Sequence, residues 1–307
     1  MAFLDPTKIA KLESLAVKAR VIVEGALTGL HRAKLRGSSV EFAEHKEYSQ
    51  GDEIRHIDWK VLGKADRYYI KQFEQESELT CYLVLDASAS MNYQGKGLSK
   101  REYASNLVAA LAYLLVNQRD RVGLSIFGNA KLDRYIPARA RSTHLRSLLG
   151  VLENVANEDQ VGDESASLAL ERVAELARHR RGLVILVSDL LESDGSAIEV
   201  MRHLRARGHD TVLFHILDRD EIEFPFDGLS IFESLESDAK LLVDPASIRR
   251  IYRKRMQEFL ERTQTECRES GVEYHLVTTE EAFELALMRF LAERLGIAGT
   301  GSKVASR

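Results

Sequence analysis

The chain has 307 residues, of which 45% are hydrophobic and 29% are charged. This composition is typical of a globular protein with a sizeable core, and it excludes the disordered, collagen-like and low-complexity classes. The formal net charge of −4 argues against non-specific binding to nucleic acid or to an acidic membrane surface.

The first 79 residues are predicted to form an N-terminal helix and a small β-region. Asp5 and Pro6 are typical of a helix start, and apolar residues recur at spacings of three and four over about 6–30, which predicts one amphipathic helix. From residue 37 to about 80, short apolar runs alternate with polar breaks. This pattern predicts small β-structure with long loops.

A mostly parallel α/β domain is predicted for residues 80–295. The runs 81–85 and 183–187 are continuously apolar, as in strands buried on both faces of a parallel sheet. Further strand patterns alternate with helical patterns of crossover length, and this order predicts a doubly wound sheet. These further strands are expected at 121–127, 211–217 and 272–277.

An insertion is predicted near 221–245, between the last two of these strands. Its two short apolar runs, at about 229–235 and 241–243, predict a hairpin at the edge of the sheet. Residues 296–307 are predicted to be a flexible tail.

The sequence also predicts a cytoplasmic location. Cys81 and Cys267 are too few for a disulfide framework and lack metal-type spacing. The longest uncharged run, 103–118, is shorter than the roughly 20 apolar residues of a membrane span. The N-terminus lacks the uninterrupted apolar stretch of a secretory signal. We therefore expect no direct insertion into a membrane.

Oxygen-bearing side chains follow two of the apolar strands. Asp86, Ser88 and Ser90 come directly after the first, and Asp189 follows the second. Ligands of parallel sheets bind at the carboxyl ends of strands, and hard oxygen donors favour Mg²⁺ or Mn²⁺ over zinc or copper. These four residues are therefore predicted to be metal ligands. The alternative for the Asp-x-Ser-x-Ser pattern is a hydrogen-bonded turn without a metal.

This motif resembles the metal-ion-dependent adhesion site of von Willebrand factor A domains, and the order of strands and helices from 81 to 217 resembles that fold. The resemblance implies that Asp86, Ser88 and Ser90 form the first metal loop and that Asp189 belongs to the third. The second loop of that family normally supplies a Thr, and here Glu164 falls at its position. Glu164 could bind the ion, close its open position or face solvent.

A specific set of residues marks the N-terminal region: 39–42 (Ser-Val-Glu-Phe), Tyr48, 51–52 (Gly-Asp), Arg55, 57–60 (Ile-Asp-Trp-Lys) and 71–74 (Lys-Gln-Phe-Glu). This block resembles a bacterial family, domain of unknown function fifty-eight, in which it precedes a von Willebrand A domain. The resemblance extends over about 30–295. It implies an adaptor that acts with a MoxR-type AAA+ ATPase in chaperone-like assembly of client proteins or in metal insertion into them.

We therefore expect a metal-dependent protein-binding adaptor and not an enzyme. A carboxylate from the partner or client would complete the coordination of Mg²⁺ or Mn²⁺. Motifs for a phosphate loop, a dinucleotide site, a nucleophile elbow and a zinc protease are all absent. One alternative is a magnesium-dependent phosphohydrolase, although Ala87 and Ser88 supply neither a second Asp nor a phosphate-binding Lys. Another is a metal-independent scaffold that binds through the β-region around Trp59.

Two basic runs, 31–36 and 249–255, lie on or beside predicted helices. Such a run usually forms a solvent-exposed face of a helix. The alternative is that it binds an acidic surface of a partner.

Overall fold

The computed structural model describes residues 6–10, 12, 14–37, 46–47, 69–70, 79–128, 135–157, 165–178, 181–191, 195–235 and 239–294. The chain divides into two compact units, Met1–Leu30 with Leu79–Arg307, and His31–Glu78. In the smaller unit, strands β1 (Lys46–Glu47) and β2 (Tyr69–Ile70) pair antiparallel. The rest of the predicted β-region, including Trp59, lies outside the described residues.

The larger unit alternates strands and helices. Its strands are β3 (Thr80–Asp86), β4 (Arg121–Phe127), β5 (Tyr135–Arg139), β6 (Leu183–Ser188), β7 (Asp210–Leu217), β8 (Ser230–Glu233), β9 (Lys240–Val243) and β10 (Glu273–Thr278). The helices of the chain are α1 (Pro6–Ala10), α2 (Leu15–Gly37), α3 (Lys100–Asn117), α4 (Ser142–Asn157), α5 (Ala166–Leu176), α6 (Ser196–Ala206), α7 (Arg219–Glu223), α8 (Pro245–Glu269) and α9 (Phe283–Arg294).

A six-stranded sheet in the order β10-β7-β6-β3-β4-β5 forms the centre of the larger unit. Its neighbouring strands are parallel except for the antiparallel pair β4 and β5. The chain runs outward from β3 to β5 and then returns to β6 on the other side of β3. The predicted mostly parallel α/β sheet is thus confirmed, and the strand order reverses between β3 and β6.

Helices cover both faces of the sheet. Successive side chains of a strand point to opposite faces, so each strand contributes to the packing on both sides. From β3, Cys81, Leu83 and Leu85 pack into a cluster that includes side chains of α2, α3, α4 and α9. Tyr82 and Val84 pack into a second cluster with α5, α6 and α8. Burial on both faces accounts for the continuously apolar sequence of this strand.

The N-terminal helix differs from the single helix expected over about 6–30. It is divided into α1 and α2, and the second helix continues to Gly37. Ser14 supplies the new helix start, because its Oγ accepts a hydrogen bond from the Val17 amide at 3.3 Å. A side-chain cap of this kind satisfies an amide that the first turn leaves without a backbone partner.

Local sequence signals set the ends of other helices. Ser99 Oγ accepts a hydrogen bond from the Glu102 amide at 3.1 Å and thereby caps α3. Gly208, at a φ of +88°, follows the last turn of α6. Within the part of the chain that the structure describes, no helix has both the length and the apolar character needed to cross a membrane.

The hairpin β8-β9 differs from the expected edge position. It forms a two-stranded sheet of its own and does not extend the central sheet. Phe232 of the hairpin stacks on Phe224 with ring centroids 5.5 Å apart, and Phe224 stacks on Tyr252 of α8 at 4.3 Å. Aromatic stacking therefore holds the hairpin against α8.

Candidate metal centre

The carboxyl ends of β3 and β6 meet where the strand order reverses. Asp86 is the last residue of β3 and Ser188 is the last residue of β6. Their side chains are in contact, because Ser188 Oγ donates a hydrogen bond to Asp86 Oδ2 at 2.5 Å. Ligands of open α/β sheets bind at such a switch point.

The loop after β3 brings the three residues of the Asp-x-Ser-x-Ser motif together. The amide of Ser88 donates to Asp86 Oδ1 at 2.9 Å, and the hydroxyl oxygens of Ser88 and Ser90 lie 3.1 Å apart. A short 3₁₀ turn from Ser90 to Asn92 follows directly. All three motif side chains are buried at the end of the strand.

This donor set fits a hard divalent cation. Adjacent ligands of an octahedral Mg²⁺, each about 2.1 Å from the ion, lie about 3.0 Å apart. The two hydroxyl oxygens of Ser88 and Ser90 have nearly this separation, at 3.1 Å. Asp86 supplies a carboxylate whose two oxygens accept one hydrogen bond each from Ser88 and Ser188. The residues present are therefore suited to Mg²⁺ or Mn²⁺.

Asp189 is the first residue after β6, one position beyond Ser188, and its carboxylate is bound to a lysine. Lys100 Nζ donates to Asp189 Oδ2 at 2.7 Å, and the side chain of Lys100 is 0% exposed. The amide of Leu191 donates to the other oxygen, Asp189 Oδ1, at 3.1 Å. Both carboxylate oxygens of Asp189 thus accept hydrogen bonds from within the chain, and the sequence pattern did not predict the bond from Lys100.

Lys100 joins Asp189 to a second carboxylate and to further strand ends. Its Nζ also donates to Glu221 Oε1 at 2.6 Å, and Glu221 Oε2 accepts from the Asp218 amide at 2.7 Å. Thr279 Oγ1, after β10, donates to Asp218 Oδ2 at 2.8 Å. Polar contacts therefore run along the carboxyl edge from β6 to β10.

This edge carries an excess of buried negative charge. Among the described residues, Lys100 is the one cation that contacts any of the four carboxylates of Asp86, Asp189, Asp218 and Glu221. Burial and the neighbouring charge of Asp189 raise the pKa of Asp86 to about 7. Burial alone would lower the pKa of Lys100, but Asp189 and Glu221 raise it above its ordinary value. The ammonium is therefore charged, and it offsets part of the negative charge.

A buried histidine holds the backbone of Asp189. His215 Nε2 lies 2.8 Å from the carbonyl oxygen of Asp189, and its Nδ1 lies 2.9 Å from the hydroxyl of Tyr274. Burial lowers the pKa of His215 to about 4, so the ring is neutral at physiological pH. Because the Asp189 carbonyl can only accept, Nε2 carries the proton and Nδ1 accepts from Tyr274.

Among the residues of this edge, sequence reasoning missed Ser188, Lys100, Asp218, Glu221 and Thr279. The signals were present locally, because Lys100 follows the helix cap Ser99 and Glu221 belongs to the capping box of α7. Neither signal predicts that these residues meet across more than 100 positions of sequence. Glu164 lies outside the described residues.

The basic run 249–255 is partly engaged within the chain. Arg249 donates to the carbonyl oxygens of Phe224 at 3.2 Å and Phe226 at 2.6 Å. Arg253 donates to the carbonyl oxygen of Glu223. These two arginines fix the segment that leads into the hairpin. The side chains of the other run, 31–36, lie outside the described residues.

A second group of potential ligands lies at the far edge of the sheet. Ligand atoms of Glu273, His275 and Glu293 lie within 4.8 Å of one another. His275 Nε2 and Glu273 Oε1 are 2.7 Å apart, which is the geometry of an ordinary hydrogen-bonded pair. This group therefore gives no independent reason to place a metal here.

Gly128 provides the space for the loop that contains Ser88, and its replacement by Ala is expected to be costly. Its φ is +77°, and a Cβ would lie 2.7 Å from the amide nitrogen of Ser88. We expect Gly128→Ala to lower the free energy of unfolding by about 1–2 kcal/mol for the backbone strain, with about 1–3 kcal/mol more for displacing the loop. Urea denaturation measures this loss.

Gly228→Ala is the matched control. Gly228 has a φ of +75°, and no described residue lies within 4 Å of its added Cβ. It should show the strain component alone, about 1–2 kcal/mol. Equal losses in the two variants would mean that Gly128 does not support the loop.

The fold and its polar edge define a mixed α/β protein with helices on both faces of a mostly parallel sheet and carboxylates at the strand ends. The family model described as "Protein of unknown function DUF58" matches residues 44–263, and the chain belongs to this family. Similar curated proteins include the uncharacterized proteins Rv1480 of Mycobacterium tuberculosis and Mb1516 of Mycobacterium bovis. Each is 28% identical over 246 residues, which cover 79% of this chain and 76% of the relative.

Two solved structures also match the chain, each over 71% of its length and 99% of theirs. One is the conserved hypothetical protein BatB from Bacteroides thetaiotaomicron, with a TM-score of 0.47 and 16% sequence identity. The other is an aerotolerance-related membrane protein from Bacteroides fragilis, with a TM-score of 0.47 and 17% identity.

Proposed function

We propose that the chain is a metal-dependent protein-binding adaptor whose Mg²⁺ or Mn²⁺ site consists of Asp86, Ser88 and Ser90. The observation that carries the proposal is the excess of buried carboxylates at this edge. Lys100, the single ammonium there among the described residues, contacts two of the four carboxylates. Isolated buried charges are costly, so carboxylates at such a place are normally paired or bind a cation. A divalent cation beside Asp86 would supply the missing positive charge.

The chain's own residues would prepare this site for a cation. Ser88 and Ser188 orient the carboxylate of Asp86 through hydrogen bonds of 2.9 Å and 2.5 Å. The 3₁₀ turn keeps the hydroxyls of Ser88 and Ser90 at the spacing of neighbouring ligands. A bound Mg²⁺ or Mn²⁺ would offer open coordination positions to a carboxylate of the partner.

We propose further that the larger unit is von Willebrand factor A-like and that its partners are a MoxR-type AAA+ ATPase and a client protein. The sequence motif and its position at the switch point of the sheet support the von Willebrand factor A-like assignment. The proposal of the two partners depends on family resemblance alone. We place the protein in the cytoplasm, which is consistent with the free, buried thiols of Cys81 and Cys267.

The phosphohydrolase alternative has one observation in its favour, a lysine close to the strand-end carboxylates. However, Lys100 is 0% exposed and is bound to both Asp189 and Glu221. It therefore has no surface with which to contact a phosphate group. The geometry favours the adaptor over this enzyme.

Metal titration combined with partner capture tests the proposal. We expect the wild-type chain to bind Mn²⁺ or Mg²⁺ and the Asp86→Ala variant to lose that binding. We also expect immobilised wild-type chain to retain a purified MoxR-type ATPase or a client in Mg²⁺ and to release it in a chelator. Asp244→Ala, which removes an exposed carboxylate at the start of α8, is the control and should behave as wild type.

Three outcomes would contradict the proposal in different ways. Equal weak metal binding by wild type and Asp86→Ala would exclude the metal site. Capture that survives chelation but is lost in Trp59→Ala would favour the metal-independent scaffold. Metal-dependent hydrolysis of a generic phosphoester that disappears in Asp86→Asn would favour the enzyme.

A further inference from the structure

Lys100 has an unusual position for a lysine, because its charged end is fully buried between two carboxylates. Its Nζ lies 2.7 Å from Asp189 and 2.6 Å from Glu221, and its side chain is 0% exposed. Lysine is almost never fully buried unless it is paired. A buried pair is weak evidence for stability, since hydrophobic side chains of similar volume often stabilise equally well. The presence of a charge here therefore calls for another explanation.

The proposed metal centre beside Lys100 provides an explanation for this buried charge. Asp86 Oδ2 accepts a hydrogen bond of 2.5 Å from Ser188, the residue directly before Asp189, so the two carboxylates stand at the ends of neighbouring strands. Both would be available to a divalent cation if Asp189 were free. The ammonium of Lys100 instead occupies Asp189 Oδ2, and the Leu191 amide occupies Oδ1.

We infer that Lys100 is a positioning residue that removes Asp189 from the set of metal ligands and leaves Asp86 as the single carboxylate ligand among the residues that the structure describes. This inference rests on the proposed metal site. One carboxylate offsets half of the charge of a divalent cation, so the ion together with this ligand keeps a net positive charge. Such a site favours an anionic partner group and holds its metal loosely. Lys100 thereby lowers the affinity of the site for the metal and raises the affinity of the occupied site for an anionic partner group.

The inference predicts that loss of the lysine charge tightens metal binding. Lys100→Met frees Asp189 and makes the site more negative by one charge, so its affinity for Mn²⁺ should increase by at least about tenfold. Lys100→Gln is a second variant, because its amide group retains hydrogen-bond donors while the charge is removed. A merely structural lysine would leave the Mn²⁺ affinity unchanged or lower.

Two further variants isolate the cause. In the double variant Lys100→Met, Asp189→Asn, both members of the pair lose their charge. Its Mn²⁺ affinity should therefore return close to that of the wild type. Lys240→Met removes the lysine of an exposed pair with Glu233 and is the matched control for net charge. It should bind Mn²⁺ as the wild type does.

The experiment is a Mn²⁺ titration of these full-length chains, followed by electron paramagnetic resonance of the free ion, with circular dichroism to verify folding. Tighter binding in Lys100→Met or Lys100→Gln, reversed by Asp189→Asn, is the expected result. If the wild type binds through Asp86 and both Lys100 variants bind no tighter, the role of Lys100 is refuted and the metal site stands. If the wild type, Asp86→Ala and the Lys100 variants all bind equally weakly, the metal site itself is refuted.

Discussion

In the absence of metal and at about pH 8, Asp86→Asn is expected to be more stable than the wild-type chain by about 1–3 kcal/mol. Burial and the charge of Asp189 raise the pKa of Asp86 to about 7 in the folded protein, against about 3.9 in an unfolded chain. The folded state therefore binds the proton more tightly. Stability falls as the pH rises from about 4 to about 7, and the full penalty is present above that range.

An asparagine at this position removes the charge and can retain the hydrogen bonds. Its carbonyl oxygen can accept from the Ser88 amide, and its amide group can donate to the Ser188 hydroxyl, where the wild type has bonds of 2.9 Å and 2.5 Å. The same change removes the metal ligand. Mg²⁺ should therefore stabilise the wild type, by an amount that rises with the logarithm of its concentration above the dissociation constant, and leave Asp86→Asn unaffected.

Urea unfolding with a chelator and with Mg²⁺ measures both effects. Asp244→Asn is the control, because asparagine caps a helix as well as aspartate does and the stability of α8 should hardly change. A less stable Asp86→Asn variant, together with a wild type indifferent to Mg²⁺, would identify Asp86 as a structural residue.

The second large effect is expected at Lys100. In the absence of metal, Lys100→Met should lower the free energy of unfolding by about 3–5 kcal/mol, because it leaves Asp189 and Glu221 as buried carboxylates without their ammonium. The loss should shrink at lower pH, because burial raises the pKa of Glu221 and its carboxylate can then be neutralised by a proton. Chemical denaturation at several pH values measures this dependence.

Arg219→Met is the matched comparison for this prediction. Arg219 also bridges two carboxylates, Glu223 at 2.7 Å and Glu280 at 3.2 Å, but its side chain is 56% exposed. Exposed ion pairs contribute at most about 1 kcal/mol, so this variant should remain close to the wild type. Similar losses in the two variants would mean that burial does not make the Lys100 pairs important.

The central sheet could be predicted from sequence because its strands carry a strong local pattern. Strands β3 and β6 are buried on both faces, and this burial requires the continuous apolar runs that end at Asp86 and before Asp189. Local pattern did not predict the division of the N-terminal helix at Ser14. It also did not predict the packing of the hairpin on α8, which depends on stacking between Phe224 and Tyr252.

In the candidate site, too, local sequence pattern predicted the neighbours in sequence but not the contacts between distant residues. Asp86, Ser88 and Ser90 are neighbours in sequence, so a loop at the end of a strand brings them together. Asp189 was expected at the same edge, and it is there. Its pairing with Lys100 spans 89 positions, however, and depends on how α3 packs beside β6. No periodicity or spacing encodes such a contact.

Anomalous diffraction from a crystal of the wild-type chain soaked in Mn²⁺ tests the central claim most directly, because it locates the ion. We predict one strong peak at the carboxyl end of β3, within coordination distance of Asp86, Ser88 and Ser90, and no such peak for Asp86→Asn. The absence of this peak, or a peak at Glu273, His275 and Glu293 instead, would contradict the metal centre proposed for the carboxyl edge of the sheet.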